Sequence, residues 1–190
     1  MSREKSKVNL AKNFAKKKHL GQTKKDGITP VYRHLETVVD KLKYVGITDE
    51  IILSAAWLHD VLESTKTSFD ELETLFGRKT ALLVLSLTKD GKLPKNAREK
   101  QYLKQLKESC LSAKLIKLCD IASNLQDIHN SNLSYRVKTK KIIKILHYIK
   151  MIKSDIFKSI KKYPNLSKLI HAINQIVIYY DQKPIEPKIK

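Results

Sequence analysis

Cysteine, glycine and proline are all scarce in this chain: two, five and five residues among 190. Each scarcity excludes something. Cys110 and Cys119 cannot build a disulfide framework, and no Cys-x-x-Cys pair offers a thiolate metal site. No apolar run approaches the roughly 20 residues that would span a bilayer. Residues 1–18 are basic but lack the apolar stretch of a secretory leader. A cytoplasmic protein without membrane contact is therefore expected. Few Gly and Pro mean few turn signals, and with abundant Leu, Ile and Lys this favours an all-α fold.

What is present points the same way. Hydrophobic residues make up 42% of the chain, enough to fold rather than stay disordered. The length suits one domain, expected over 1–183. Pro184 and Pro187 mark 184–190 as a flexible tail. The net charge of +19 fits an anionic partner, either nucleic acid or a small polyphosphate. It also fits a plain enrichment in Lys of the kind that codon bias toward A and T produces. No helix-turn-helix, zinc-finger or RNA-binding signature accompanies the charge, so a nucleic-acid partner is not expected.

Apolar residues recur at helical spacing through most of the chain. A first helix carries Leu10, Phe14 and Ala15 and ends by Gly21. A basic loop follows over 22–29, with Lys24, Lys25 and Gly27. Pro30 opens a helix over 32–44 whose inner face is Leu35, Val38, Val39 and Leu42. Thr48 can cap the next, 49–62. Thr67 or Ser68 can cap a short helix to Phe76, and an apolar segment covers 80–87. The stretch 89–94 is a connector, punctuated by Asp90-Gly91 and Pro94. Helices over 97–107, 112–126, about 135–161 and 166–180 complete the chain.

Within the 49–62 segment, His59 and Asp60 are out of place. An imidazole and a carboxylate in a core-like run are costly unless something satisfies them, and a divalent metal would. His34 and Asp120 are further candidate ligands on predicted helices, as in bundles whose facing helices point imidazoles and carboxylates inward. Spacings of four and three place Asp120, Asn124 and Asp127 on one stripe. Each residue taken singly reads more readily as a helix-end partner or a solvated side chain than as a ligand. Their combination carries the metal reading.

The order His34, then His59-Asp60, then Asp120 resembles the HD phosphohydrolase superfamily, and the surrounding segments resemble its RelA/SpoT-type hydrolases. The segment 22–34 is similar to the family's opening element, with a basic pair before the first histidine. The segment 56–65 is similar to its HD helix, and 117–124 to the later helix bearing Asp120 and Asn124. Phe76-Gly77 and Leu87-Thr88-Lys89 fall between them in the expected order. The resemblance covers residues 10 to 127 well and the last third only loosely, and the length matches a stand-alone small alarmone hydrolase.

That resemblance implies a compact, multi-helix HD-domain bundle with one divalent metal between its helices. The ion is usually Mn²⁺ in this family, with Fe²⁺ and Zn²⁺ also open to such ligands. It implies His34, His59, Asp60 and Asp120 as ligands, and removal of pyrophosphate from the 3′ position of guanosine tetra- or pentaphosphate. Glu63 matches the acidic residue that activates or orients the attacking water. Lys24, Lys25, Arg98 and Asn124 match substrate-contacting positions. Three positions depart from the pattern. Ser64 stands where the family has Asp, and it cannot supply that second negative charge. Lys24 stands where Arg is frequent and loses the flat guanidinium. Gln126 replaces a frequent Arg. These departures admit another nucleotide or phosphorylated metabolite as substrate, or a weakened, nucleotide-binding homologue.

Overall fold

Start and stop signals cut the chain into helices. The computed structural model describes residues 6–24 and 27–187. Among them lie ten α-helices and one isolated bridge, Thr23 with Pro30. In chain order the helices are α1 (Lys7–Lys18), α2 (Val31–Tyr44), α3 (Glu50–Leu58), α4 (Val61–Ser64), α5 (Phe69–Phe76), α6 (Arg78–Leu87), α7 (Lys95–Glu108), α8 (Leu111–Asn130), α9 (Tyr135–Ser159) and α10 (Leu166–Tyr179). The fold is all-α, as the composition implies.

Short polar residues set several of the starts. Ser68 accepts the Glu71 N–H at 3.1 Å and caps α5. For α3 the cap is Asp49 rather than Thr48: its carboxylate accepts the N–H groups of Ile51 and Ile52 at 2.8 and 3.1 Å. A carboxylate also complements the positive end of the helix dipole. Gly77, at φ +84°, turns the chain from α5 into α6 within one residue.

Burial explains the layering. Seven of the nine residues of α3 and eleven of the twenty of α8 are buried. Helices that are apolar on most faces must be wrapped by others. Accordingly α3 packs on α1, α2, α6 and α8, while α8 packs on α2, α3, α6, α9 and α10. From α2 the predicted face of Leu35, Val38, Val39 and Leu42 is buried against them. Each such side chain contributes about 1.5–3 kcal/mol, and Leu42→Ala would cost about 2–5 kcal/mol.

One sequence expectation needs correction. The single helix expected over 49–62 is two: α3 ends at Leu58, His59 and Asp60 form a turn, and α4 follows. No Gly or Pro marks that break, so periodicity could not reveal it. Within the 184–190 segment, expected as a flexible tail, the described residues 184–187 include one packed side chain. Ile185 is buried, its N–H donates to Asn174 Oδ1 at 2.7 Å, and its carbonyl accepts from Asn174 Nδ2 at 3.1 Å. Residues 188–190 lie outside the described residues. No described helix is long and apolar enough to cross a membrane.

Candidate metal centre

The helices α2, α3 and α8 pack pairwise on one another, and their polar intruders meet at the junction. His34 comes from the first turn of α2, His59 from the C-terminal cap of α3, and Asp120 from the middle of α8. All three are buried. One nitrogen or carboxylate oxygen from each lies within 4.8 Å of the others.

The orientation of each group is fixed from outside the cluster. His59 Nδ1 sits 2.8 Å from the Ala56 carbonyl, which can only accept, so Nδ1 carries a proton and Nε2 faces inward. That Nε2 is buried and has no hydrogen-bond partner. It stands 3.5 Å from Asp60 Oδ1 and 3.8 Å from Asp120 Oδ1. His34 Nε2 lies 3.0 Å from the same Asp120 oxygen, and Ser123 Oγ lies 3.2 Å from His34 Nδ1. Asn124 Nδ2 donates to Asp120 Oδ1 at 2.6 Å, and Lys117 Nζ to Asp120 Oδ2 at 2.8 Å. Asp60 is half-buried at the rim, and as the N-cap of α4 it makes no side-chain capping bond, so its carboxylate is left for the cluster.

These distances suit a cation. Neighbouring ligands of an octahedral ion at about 2.1 Å stand about 3 Å apart, near the 3.0 to 3.8 Å separations seen here. An inward-facing imidazole nitrogen without a partner is the feature a metal would satisfy. Two imidazoles and two carboxylates form a nitrogen and oxygen donor set open to Mn²⁺, Fe²⁺ or Zn²⁺.

The electrostatics agree. Burial alone would lower the His59 pKa, but Asp60 and Asp120, helped by the Ala56 carbonyl, outweigh it and hold it at about 9. Burial would raise the Asp120 pKa, but Lys117 and then the two histidines hold it well below the ordinary carboxylate value. Burial would likewise strip Lys117 of its proton; Asp120 and Tyr102 keep it charged.

The remaining predicted site residues are less closely gathered. Glu63 is exposed on α4, and its Oε2 accepts the Lys89 N–H at 3.2 Å. Ser64 is exposed beside it, and its carbonyl accepts from Gln22 Nε2 at 3.0 Å. Lys24 reaches across to α8, where Asp127 accepts from its Nζ at 2.7 Å. Arg98 lies in the first turn of α7 and makes no side-chain hydrogen bond or ion pair among the described residues. Lys25 lies outside the described residues. Sequence reasoning did not single out Lys117 or Ser123, although both sit three residues from Asp120 on the same helix, a spacing that brings side chains together.

Fold and site together define an all-helical domain with a buried His/Asp metal-type cluster where three helices meet. The chain belongs to the HD-domain family, whose model matches residues 11–145. It is 40% identical over 131 residues to the guanosine-3′,5′-bis(diphosphate) 3′-pyrophosphohydrolase MESH1 of Homo sapiens, covering 68% of this chain and 73% of that protein. It is 42% identical over 119 residues to MESH1 of Danio rerio, covering 62% of this chain and 66% of that relative. Among solved structures it is similar to a metazoan ortholog of SpoT described as hydrolyzing ppGpp. That likeness has a TM-score of 0.79 and 28% identity, covering 94% of this chain and 98% of the other.

Proposed function

We propose that this protein is a metal-dependent hydrolase that releases pyrophosphate from the 3′ position of guanosine tetra- or pentaphosphate, leaving GDP or GTP. One observation carries the reading: the unpartnered, inward-facing Nε2 of His59 beside His34, Asp60 and Asp120, in a chain 40% identical to a hydrolase of that name.

In this reading His34, His59, Asp60 and Asp120 hold one divalent cation, Mn²⁺ by assignment. When bound, the ion supplies Lewis acidity toward a phosphoryl oxygen and toward the attacking water. The chain's own residues do the rest. Glu63, an exposed carboxylate three residues after Asp60, accepts the water's proton. Asn124 uses its amide on Asp120 and leaves its carbonyl oxygen for the nucleotide. Lys24, Lys25 and Arg98 offset phosphate charge, the lysines as point charges rather than bidentate forks.

Ser64 supports a second reading, in which the same centre acts on a different phosphorylated nucleotide or turns over slowly, because the carboxylate expected there is absent. A panel of nucleotides separates the two. Purified protein with Mn²⁺ should release pyrophosphate from guanosine tetraphosphate in preference to nucleotides lacking a 3′-diphosphate, and Asp60→Ala should abolish the release. Full activity in that variant would remove the metal reading, and preference for another nucleotide would replace the substrate.

A further inference from the structure

The α6–α7 connector is held from several sides, and one of its main-chain N–H groups donates to Glu63. From α7, Tyr102 donates its hydroxyl to the Leu87 carbonyl at 2.9 Å. Gln105 Nε2 lies 3.1, 2.9 and 3.0 Å from the carbonyls of Leu85, Ser86 and Thr88, which share its two hydrogens. The carbonyls at a helix end lack the partners of the helix interior; Leu85 also accepts the Thr88 N–H at 3.1 Å, and α7 fixes the rest of the end of α6 immediately before Lys89. Beyond it, Asp90 Oδ1 accepts the Lys92 N–H at 2.9 Å.

The Lys89 side chain is sunk into the same corner, only 18% exposed. Its ammonium donates to Glu99 at 3.1 Å and to the Tyr148 hydroxyl at 2.9 Å, and lies 5.0 Å from the ring centroids of both Tyr102 and Tyr148. Glu99 also accepts from the Tyr148 hydroxyl at 2.6 Å and from Lys144 at 3.0 Å. An ammonium this desolvated persists only because acceptors and aromatic faces surround it. Their combined effect is to present the Lys89 main-chain N–H to Glu63 Oε2 at 3.2 Å.

We infer that Lys89 is a positioning residue for Glu63: Glu99 and Tyr148 seat its side chain so that its main-chain N–H aims the water-orienting carboxylate at the metal centre. The inference rests on the hydrolase reading above. An exposed carboxylate samples many rotamers, and a fixed donor selects among them before substrate arrives. Among the described residues Lys89 itself makes no hydrogen bond or ion pair with a metal-ligand candidate or with Lys24, so its loss acts on turnover and not on substrate capture.

The test is a double-mutant cycle with a second readout that needs no substrate. Lys89→Met should lower kcat about tenfold with KM within about twofold. In a Glu63→Gln background the same change should cost less than about twofold, because the group it positions is already gone. An equal loss in both backgrounds, or no loss in the first, overturns the inference. Independently, the Lys89 amide should exchange with solvent at least about tenfold faster in Glu63→Ala and in Glu99→Gln than in the unaltered protein. Amides of the α8 core, unchanged in both, would show that the fold is intact. An unaltered Lys89 exchange rate overturns the inference whether or not the protein turns over. Absence of pyrophosphate release from the unaltered protein refutes the hydrolase reading separately.

Discussion

Lys117 and Asp120, three residues apart on α8, meet at 2.8 Å through Asp120 Oδ2, while Oδ1 faces His34 Nε2 at 3.0 Å. The carboxylate is thereby divided, one oxygen paired with a cation of the chain and the other turned to the candidate centre. Lys117 is itself boxed in by the rings of Tyr102 and Tyr148, at 5.3 and 5.1 Å.

Lys117→Met leaves Asp120 buried without that partner, so the metal-free protein should lose about 3–5 kcal/mol of stability. A divalent cation can replace the missing charge. The rise in Tm on adding Mn²⁺ should therefore exceed that of the unaltered protein by about 4 °C or more. Equal shifts in a paired thermal-melt experiment would mean that Asp120 does not face the metal.

Ser64→Asp restores the carboxylate that the RelA/SpoT-type pattern has. The position is exposed and its engaged groups are main-chain ones, the N–H donating to the Asp60 carbonyl and the carbonyl accepting from Gln22, so stability should stay within about 0.5 kcal/mol. Steady-state kinetics should show kcat rising about tenfold or more. An unchanged kcat would place the limit on turnover elsewhere.

Asp127→Asn releases Lys24 from its 2.7 Å partner. The pair is partly exposed, so its loss should cost less than about 1 kcal/mol of stability. If the 20–30 loop holds Lys24 ready for phosphate, KM should rise about three- to tenfold with kcat nearly constant. A fall in KM would instead mean that Asp127 competes with the substrate for this lysine.

Glu99 gives the fold a pH dependence. Burial would raise its pKa, but hydrogen bonds from Tyr148, Lys144 and Lys89 prevail and hold it at about 2, against an ordinary value of 4.5. A folded-state value below the unfolded one stabilises above about pH 4.5 and is lost as pH falls toward 2. Across that window the unaltered protein should lose about 2 kcal/mol more than Glu99→Gln. Urea unfolding at pH 5 and pH 2.5 measures the difference, and parallel losses would contradict the assignment.

Much of this was legible in the residues alone, and what was not has physical reasons. The spacing of Leu35, Val38, Val39 and Leu42 announces the buried face of α2, since a helix must hide such a stripe. His34, His59 and Asp120 stand out because polar groups in apolar surroundings demand partners, and the fold brings these three together. The break at His59 and Asp60 has no sequence signal, because it falls in an apolar run without Gly or Pro. The corner of Lys89, Glu99, Tyr102 and Tyr148 was equally invisible: its members come from a connector and two helices that meet only when the bundle closes. Asn174 anchors Ile185 through main-chain atoms, which side-chain patterning cannot report.

The central claim is that the His34, His59, Asp60 and Asp120 centre drives loss of the 3′-diphosphate. Phosphorus NMR of guanosine tetraphosphate incubated with the protein and Mn²⁺ tests it most directly. The account predicts that the 3′-diphosphate resonances give way to free pyrophosphate while the 5′-diphosphate remains, and that His59→Ala leaves the spectrum unchanged. Release of orthophosphate, cleavage at the 5′ end, or an unchanged spectrum with metal bound would contradict it.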